Sequence, residues 1–167
     1  MKEKKQEAEI IINGEIRRVE VTDELRKIFE FDYLKVWKPK NREKYRFITD
    51  EGQIDYDFWD NDETDIFRWE TGNCKQTEAE CEFKREKEKV ETELRNFAKE
   101  HNEPIDWKDD DQPKYFICWA IFENEITTDK IFYYKHKDIY FSSEKIAEAA
   151  VKAIGEDRVK KYYLEVE

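Results

Sequence analysis

Apolar and polar residues alternate over short runs in most of this chain, and the period lengthens to a helical one in a few places. Residues 10–12 and 16–21 flank Asn13-Gly14, a pair favoured in two-residue turns because both positions need positive φ. They predict a β-hairpin. Thr22 then caps a short helix, with Asp23 and Glu24 in its first turn and Leu25, Ile28 and Phe29 on its apolar face. Pro39 closes the segment 33–37. Residues 45–49 and 54–59 read as two strands joined at the turn Asp50-Glu51-Gly52. A turn at 61–63 and a third strand at 66–71 follow, with Phe67 and Trp69 on one face and Ile66, Arg68 and Glu70 on the other. Gly72-Asn73 ends that strand.

Thr77 opens the longest predicted element, a helix reaching about His101. Phe83, Val90, Leu94, Phe97 and Ala98 fall on one apolar stripe. Glu80–Lys84 and Glu91–Arg95 are i,i+4 pairs with the acid on the N-terminal side. At about 1.5 Å per residue the helix would span roughly 37 Å. Residues 102–113 are polar, acidic and contain two prolines, and they predict a linker. The strand signal is strongest at 115–122, and a second strand at 126–135 follows across Asn124. Residues 139–141 lead into Ser142-Ser143, a second N-cap, and a helix to Ile154 carries Ile146, Ala147, Ala150 and Val151. Gly155 suits the position just past its end, and 158–163 form a last short helix.

The fold class is therefore α+β: an N-terminal β-hairpin and short helix, then two β-meander-plus-helix units. The expected division is 1–35, 36–102, an acidic linker at 103–113, and 114–167. The two later units resemble each other. Tyr45 corresponds to Tyr115, Thr77-Glu78 to Ser143-Glu144, Cys81 to Ala147 and Glu82 to Glu148. Two readings account for this, a degenerate repeat or two units sharing generic cap chemistry.

Composition narrows the function classes. Of 167 residues 44% are charged and 38% hydrophobic, a balance that leans toward disorder until the 15% of aromatics is counted. The result is a folded, thin-cored and strongly solvated chain. With 42 acids against 31 bases the net charge is −11, and the bases do not cluster, so neither direct nucleic-acid binding nor an anionic membrane is expected. The charged start with no long apolar run predicts no signal peptide, no membrane span and a cytoplasmic location. Three cysteines without short metal-like spacing point to reduced thiols, with Cys81 and Cys118 as small core residues. No cofactor or metal is expected. Asp55-x-Asp57-x-x-Asp60 imitates the start of a calcium loop, but the third ligand is out of step and the glycine is missing. His101 reads as a helix-end cation and His136 as exposed. No phosphate loop, Gly-x-Ser-x-Gly or dinucleotide fingerprint occurs, so the chain is not expected to be an enzyme.

One segment stands apart. From Asp50 to Asp65 there are eight carboxylates and no Lys or Arg, with Tyr56, Phe58 and Trp59 among them. On a strand Asp55 and Asp57 project to one face about 6.6 Å apart, a phosphate-like spacing at short range. The competing reading is solvated hairpin turns, in which Asp and Asn serve turn chemistry. A second acidic patch surrounds Trp107: Glu103, Asp106, Asp109, Asp110 and Asp111.

The series Trp37…Pro39, Tyr45-Arg-Phe-Ile, Gly52, Trp59-Asp-Asn-Asp, Arg68, Gly72-Asn73, Thr77-Glu, Glu80-Cys-Glu-Phe83 and Leu94…Phe97-Ala-Lys-Glu-His-Asn102 resembles a module of uncharacterised phage and prophage proteins of low-GC Gram-positive bacteria. The match covers about 36–102. It departs at Lys75, where that family carries an aromatic, although Phe141 supplies one in the second copy. The resemblance implies a small accessory protein of infection or lysogeny. The expectation is an inhibitor of a host nucleic-acid-binding or defence protein, of the anti-CRISPR or another anti-defence type. Its acidic surface would comprise Asp55, Asp57, Trp59, Asp60, Asp62, Glu63 and Asp65. The alternative is a nucleic-acid-binding or replication accessory module of a phage.

Overall fold

The computed structural model describes residues 7–12, 15–22, 37–136 and 138–166. The expected Asn13-Gly14 turn, the short helix after Thr22 and most of 33–37 lie outside the described residues. The chain forms two compact units, Met1–Lys38 and Pro39–Glu167. In the first, β1 (Glu7–Ile12) pairs antiparallel with β2 (Glu15–Glu20), Ile12 opposite Glu15, as the alternation predicts.

The second unit holds two further hairpins and the helices, an α+β arrangement. Strands β3 (Lys44–Ile48) and β4 (Ile54–Phe58) pair antiparallel across the Asp50-Glu51-Gly52 turn, where Gly52 adopts φ 77°. That positive φ is open to glycine at little steric cost. Residues 66–71 depart from the expectation: they are not a third strand, 66–70 being the greater part of helix α1 (Glu63–Glu70) and Thr71 its C-cap. Asp62 caps it by accepting from the Asp65 amide, Glu63 and Asp65 occupy the first turn, and Arg68 lies in the last, all favourable to the helix dipole. Among the described residues the two later units are therefore hairpin-plus-helix units built on two-stranded sheets.

Helix α2 (Glu78–His101) begins at a complete capping box. Thr77 accepts from the Glu80 amide, and the Glu80 carboxylate accepts from the Thr77 amide. Glu80 is thus spent on the cap, and Lys84 pairs instead with Glu88. Glu91 and Arg95 pair as expected, at 3.6 Å. Strands β5 (Lys114–Ala120) and β6 (Glu125–Ile131) form the third hairpin; β5 ends two residues earlier than expected, so Ile121 and Phe122 stand exposed in the turn, and β6 begins one residue earlier and ends four residues earlier than expected. Ser143 caps helix α3 (Glu144–Ile154), Gly155 follows at φ 104°, and Glu156–Arg158 (α4) continue into a wider π turn at Val159–Tyr163.

Residues from both sides of the expected linker build one core. Val90, Leu94 and Ala98 of α2 pack with Ile117 of β5, Ile139, Phe141, Ala147, Ala150, Val151, Ile154 and Val159. Segment 103–113 lies inside this compact unit and is not a separator between two domains. It is tied down by polar bonds. The Glu103 amide donates to Ser142 Oγ, the Asp106 amide to Gln112 Oε1, and Gln112 Nε2 to the Pro104 carbonyl. The fully buried Lys114 donates from Nζ to the Asp109 carbonyl at 2.6 Å. Arg158 donates to both oxygens of Glu93 at 2.8 and 3.0 Å, fastening the chain end to α2.

The likeness of the two later hairpins extends to their surroundings. In each, the first strand gains a backbone partner two residues before a helix cap: Arg46 pairs with Lys75 ahead of Thr77, and Tyr115 with Phe141 ahead of Ser143. The sequence correspondence of Tyr45 with Tyr115 is therefore shifted by one residue in the paired register.

Candidate functional site

The acidic run folds as the turn and second strand of the β3–β4 hairpin and the start of α1. Most of its carboxylates have a structural task. Asp65 is 2% exposed. Its Oδ1 accepts from the Tyr45 hydroxyl at 2.7 Å, and its Oδ2 accepts from the amides of Asp60 and Asn61 at 2.7 and 2.9 Å. Burial acts to raise its pKa, but the Tyr45 hydroxyl and these amides outweigh burial and hold the carboxyl below the ordinary aspartate range. Tyr45 is fully buried. Burial first, and then the Asp65 carboxylate, push its hydroxyl well above the ordinary tyrosine value. Arg68 Nη1 donates to the Tyr45 oxygen at 2.7 Å and to Asp57 Oδ2 at 2.9 Å, and its guanidinium stacks 3.5 Å from the Phe47 ring centroid. The relay Arg68–Tyr45–Asp65 thus joins α1 to β3, and Trp59 closes it with its ring edge-on to Tyr45 at 6.1 Å.

These contacts correct two of the seven expected partner residues. Trp59 is 3% exposed and Asp65 is 2% exposed, so neither can meet a partner without unfolding the corner. Asp62 is the helix cap. Asp60 lies 3.4 Å from Arg42, and Asp57 is held by Arg68, yet both remain about half exposed. Asp55 and Glu63 are exposed. The run also carries exposed aromatics, Tyr56 and Phe58 at 48% each, and Phe67 of α1, just beyond it, is 66% exposed. Lys44 Nζ sits 3.6 Å from the Tyr56 ring centroid. Sequence reasoning misses Tyr45 and Arg68 because their partners lie 20 and 11 residues away. The role of Asp62 has a local signal: an acid three residues after an Asp is a variant of the capping box.

Around Trp107 the second acidic patch is a set of tight turns. Asp106 Oδ1 accepts from the Lys108 amide, and Asp109 Oδ1 accepts from the amides of Asp111 and Gln112. The Trp107 ring packs edge-on against Tyr140 at 4.9 Å with Lys135 Nζ 4.7 Å from its centroid.

Cys74 and Cys81 are buried; burial, then the Asp65 charge, push the Cys74 thiol up to about 11, and burial raises Cys81 and Cys118 as well. Raised thiols are poor nucleophiles at neutral pH. His101 stacks on Phe97 at 4.0 Å, with Nδ1 2.9 Å from the Phe97 carbonyl. Among the described residues no group of three or more His, Cys, Asp or Glu stands close enough to hold a metal ion. Two grooves, one along α2 at Lys75, Phe83 and Lys87 and one at Trp119 between β6 and α3, contain no cysteine or histidine. Among the described residues no helix is long and apolar enough to cross a membrane. No protein-family model, curated protein or solved structure matches this chain.

Proposed function

We propose that this chain is a non-enzymatic, phage-type accessory protein that binds and inhibits a host nucleic-acid-handling or defence protein. The contact surface is the exposed part of the hairpin–helix segment: Asp55, Asp57, Asp60, Asp62 and Glu63, with Tyr56, Phe58 and Phe67. The observation that carries this reading is the joint exposure of carboxylates and three large aromatic rings around a stretch, Asp50 to Asp65, that is free of Lys and Arg. Such rings on a surface are candidate anchors, and carboxylates in excess over the neighbouring bases Arg42 and Lys44 steer a basic partner. The phage context rests on the sequence resemblance alone. The role as inhibitor of a defence protein rests on analogy with accessory proteins of that kind.

The test is capture of the partner from host lysate at low and high salt with the native chain and with D55N/D60N/E63Q. This variant leaves Asp57, Asp62 and Asp65 in their structural bonds, and the amide side chain introduced at position 55 retains an acceptor. The native chain should retain one basic, nucleic-acid-handling or defence protein, released by salt. The variant should lose affinity by tenfold or more, about 1.4 kcal/mol, with a shallower salt dependence. Equal retention by both proteins overturns the acidic contact surface. Recovery of nucleic acid itself would instead favour an accessory module that binds nucleic acid.

A further inference from the structure

Among the described residues, each of the two later hairpins has one closed and one open edge. On β3, Arg46 exchanges backbone bonds with Lys75 at 2.8 and 2.9 Å, and the Asn73 side chain takes both backbone groups of Ile48. On β5, Tyr115 exchanges both bonds with Phe141. That leaves β4 and β6 as outer strands. The direction of their backbone groups follows from the pairing. The Trp59 amide donates to the Glu43 carbonyl at 3.0 Å, and the Thr49 amide to the Gln53 carbonyl at 2.8 Å. Odd-numbered residues of β4 therefore face β3, and Ile54, Tyr56 and Phe58 turn their amides outward. Tyr115 faces Phe141, so its cross-strand partner Lys130 turns its amide away from β5.

Three of these outward amides are already occupied, and in each case by the carboxylate of the preceding residue. The Tyr56 amide donates to Asp55 Oδ1 at 2.8 Å, Phe58 to Asp57 Oδ1 at 2.8 Å, and Lys130 to Asp129 Oδ1 at 2.7 Å. An open strand edge is a template for another strand. Here it would be a sticky one, because Tyr56 and Phe58 expose aromatic rings along it. We propose that Asp55, Asp57 and Asp129 close the outer edges of β4 and β6 against strand addition by a second copy of this chain, through their bonds to the outward amides rather than through their charge. Two hairpins of different sequence reach the same arrangement, which turn chemistry does not require, because these residues lie within strands. The inference is independent of the proposed partner: an asparagine at position 55 retains the acceptor, so the capture variant leaves this edge closed.

Two double variants separate bond from charge. D55A/D129A and D55N/D129N remove the same two charges, and only the second keeps an acceptor beside each amide. Both leave Asp57 and its bond to Arg68 intact. Sedimentation across a concentration series should show D55A/D129A gaining mass at concentrations where the native chain and D55N/D129N do not. Amide hydrogen exchange at Tyr56 and Lys130 should be faster in the alanine variant by roughly tenfold, the loss of one charge-assisted bond. Ile54, whose outward amide follows Gln53, is the internal reference. Self-association of both variants alike would mean that charge guards the edge, and it would overturn the proposal. So would an alanine variant with native mass and native exchange. In the native chain alone, Tyr56, Phe58 and Lys130 exchanging as fast as Ile54 would also overturn it, whatever the variants do.

Discussion

The β3–β4 corner and the β5–β6 corner share a plan and are closed by different chemistry. In both, the hairpin's first strand takes a backbone partner just before a capped helix. Around Phe141 the closure is apolar: Phe141 is fully buried among Ile117, Ala147 and Val151. Around Tyr45 it is polar, a fully buried phenol held between an arginine and a 2%-exposed aspartate. The comparison shows that a shared topology does not prescribe what fills its corner. An apolar filling needs only volume and shape. A polar filling needs every donor and acceptor in place, and becomes costly when one is missing.

The largest expected effect is at the apolar corner. Phe141→Ala should destabilise the chain by about 3–5 kcal/mol, from lost burial plus the cavity left behind; urea unfolding measures it. Asp65→Ala comes next at about 3 kcal/mol, since it strands the Tyr45 hydroxyl and two amides in a buried site. If it costs under about 1 kcal/mol, water fills the corner and the contrast between the two regions collapses. Acid sharpens the contrast without mutation. The Asp65 carboxyl is held below its ordinary value of 3.8, so its contribution is whole above that pH and lost as pH falls through the folded-state value. Amide exchange at Asp60 and Asn61, corrected for the intrinsic rate, should rise in acid before that at Phe141 does. The smallest effect concerns what the two regions share. Thr77→Ala and Ser143→Ala should each cost about 1 kcal/mol, the first slightly more because its box is reciprocal.

Features written locally are legible in the sequence. Both caps, the long helical stripe and the Asp50-Glu51-Gly52 turn depend on neighbours within a few residues, and the structure has them where the spacing predicts. Helix α1 is not, because Phe67 and Trp69 alternate over a run too short to tell period two from period 3.6. The cap at Asp62 is the better signal there. Composition cannot sort the acidic run. Whether an aspartate is a surface charge or the anchor of a buried phenol is decided by Tyr45, 20 residues before Asp65. The single core is illegible for a similar reason. The polar, proline-bearing stretch 103–113 looks like a spacer, and contacts such as the buried Lys114 and the bond from Glu103 to Ser142 show that it is strapped down.

The cysteines have a consequence of another kind. Cys74 and Cys81 are buried near the polar corner and their thiols are pushed up by burial, so each resists alkylation while its surroundings stay closed, whereas Cys118 is only partly buried and is open to a reagent in the folded chain. The rate at which each buried thiol takes up a reagent therefore counts the openings of its own neighbourhood. The chain carries two built-in clocks beside its polar corner, with Cys118 as the accessible reference thiol, and they can time the loosening of that corner in the unmodified protein.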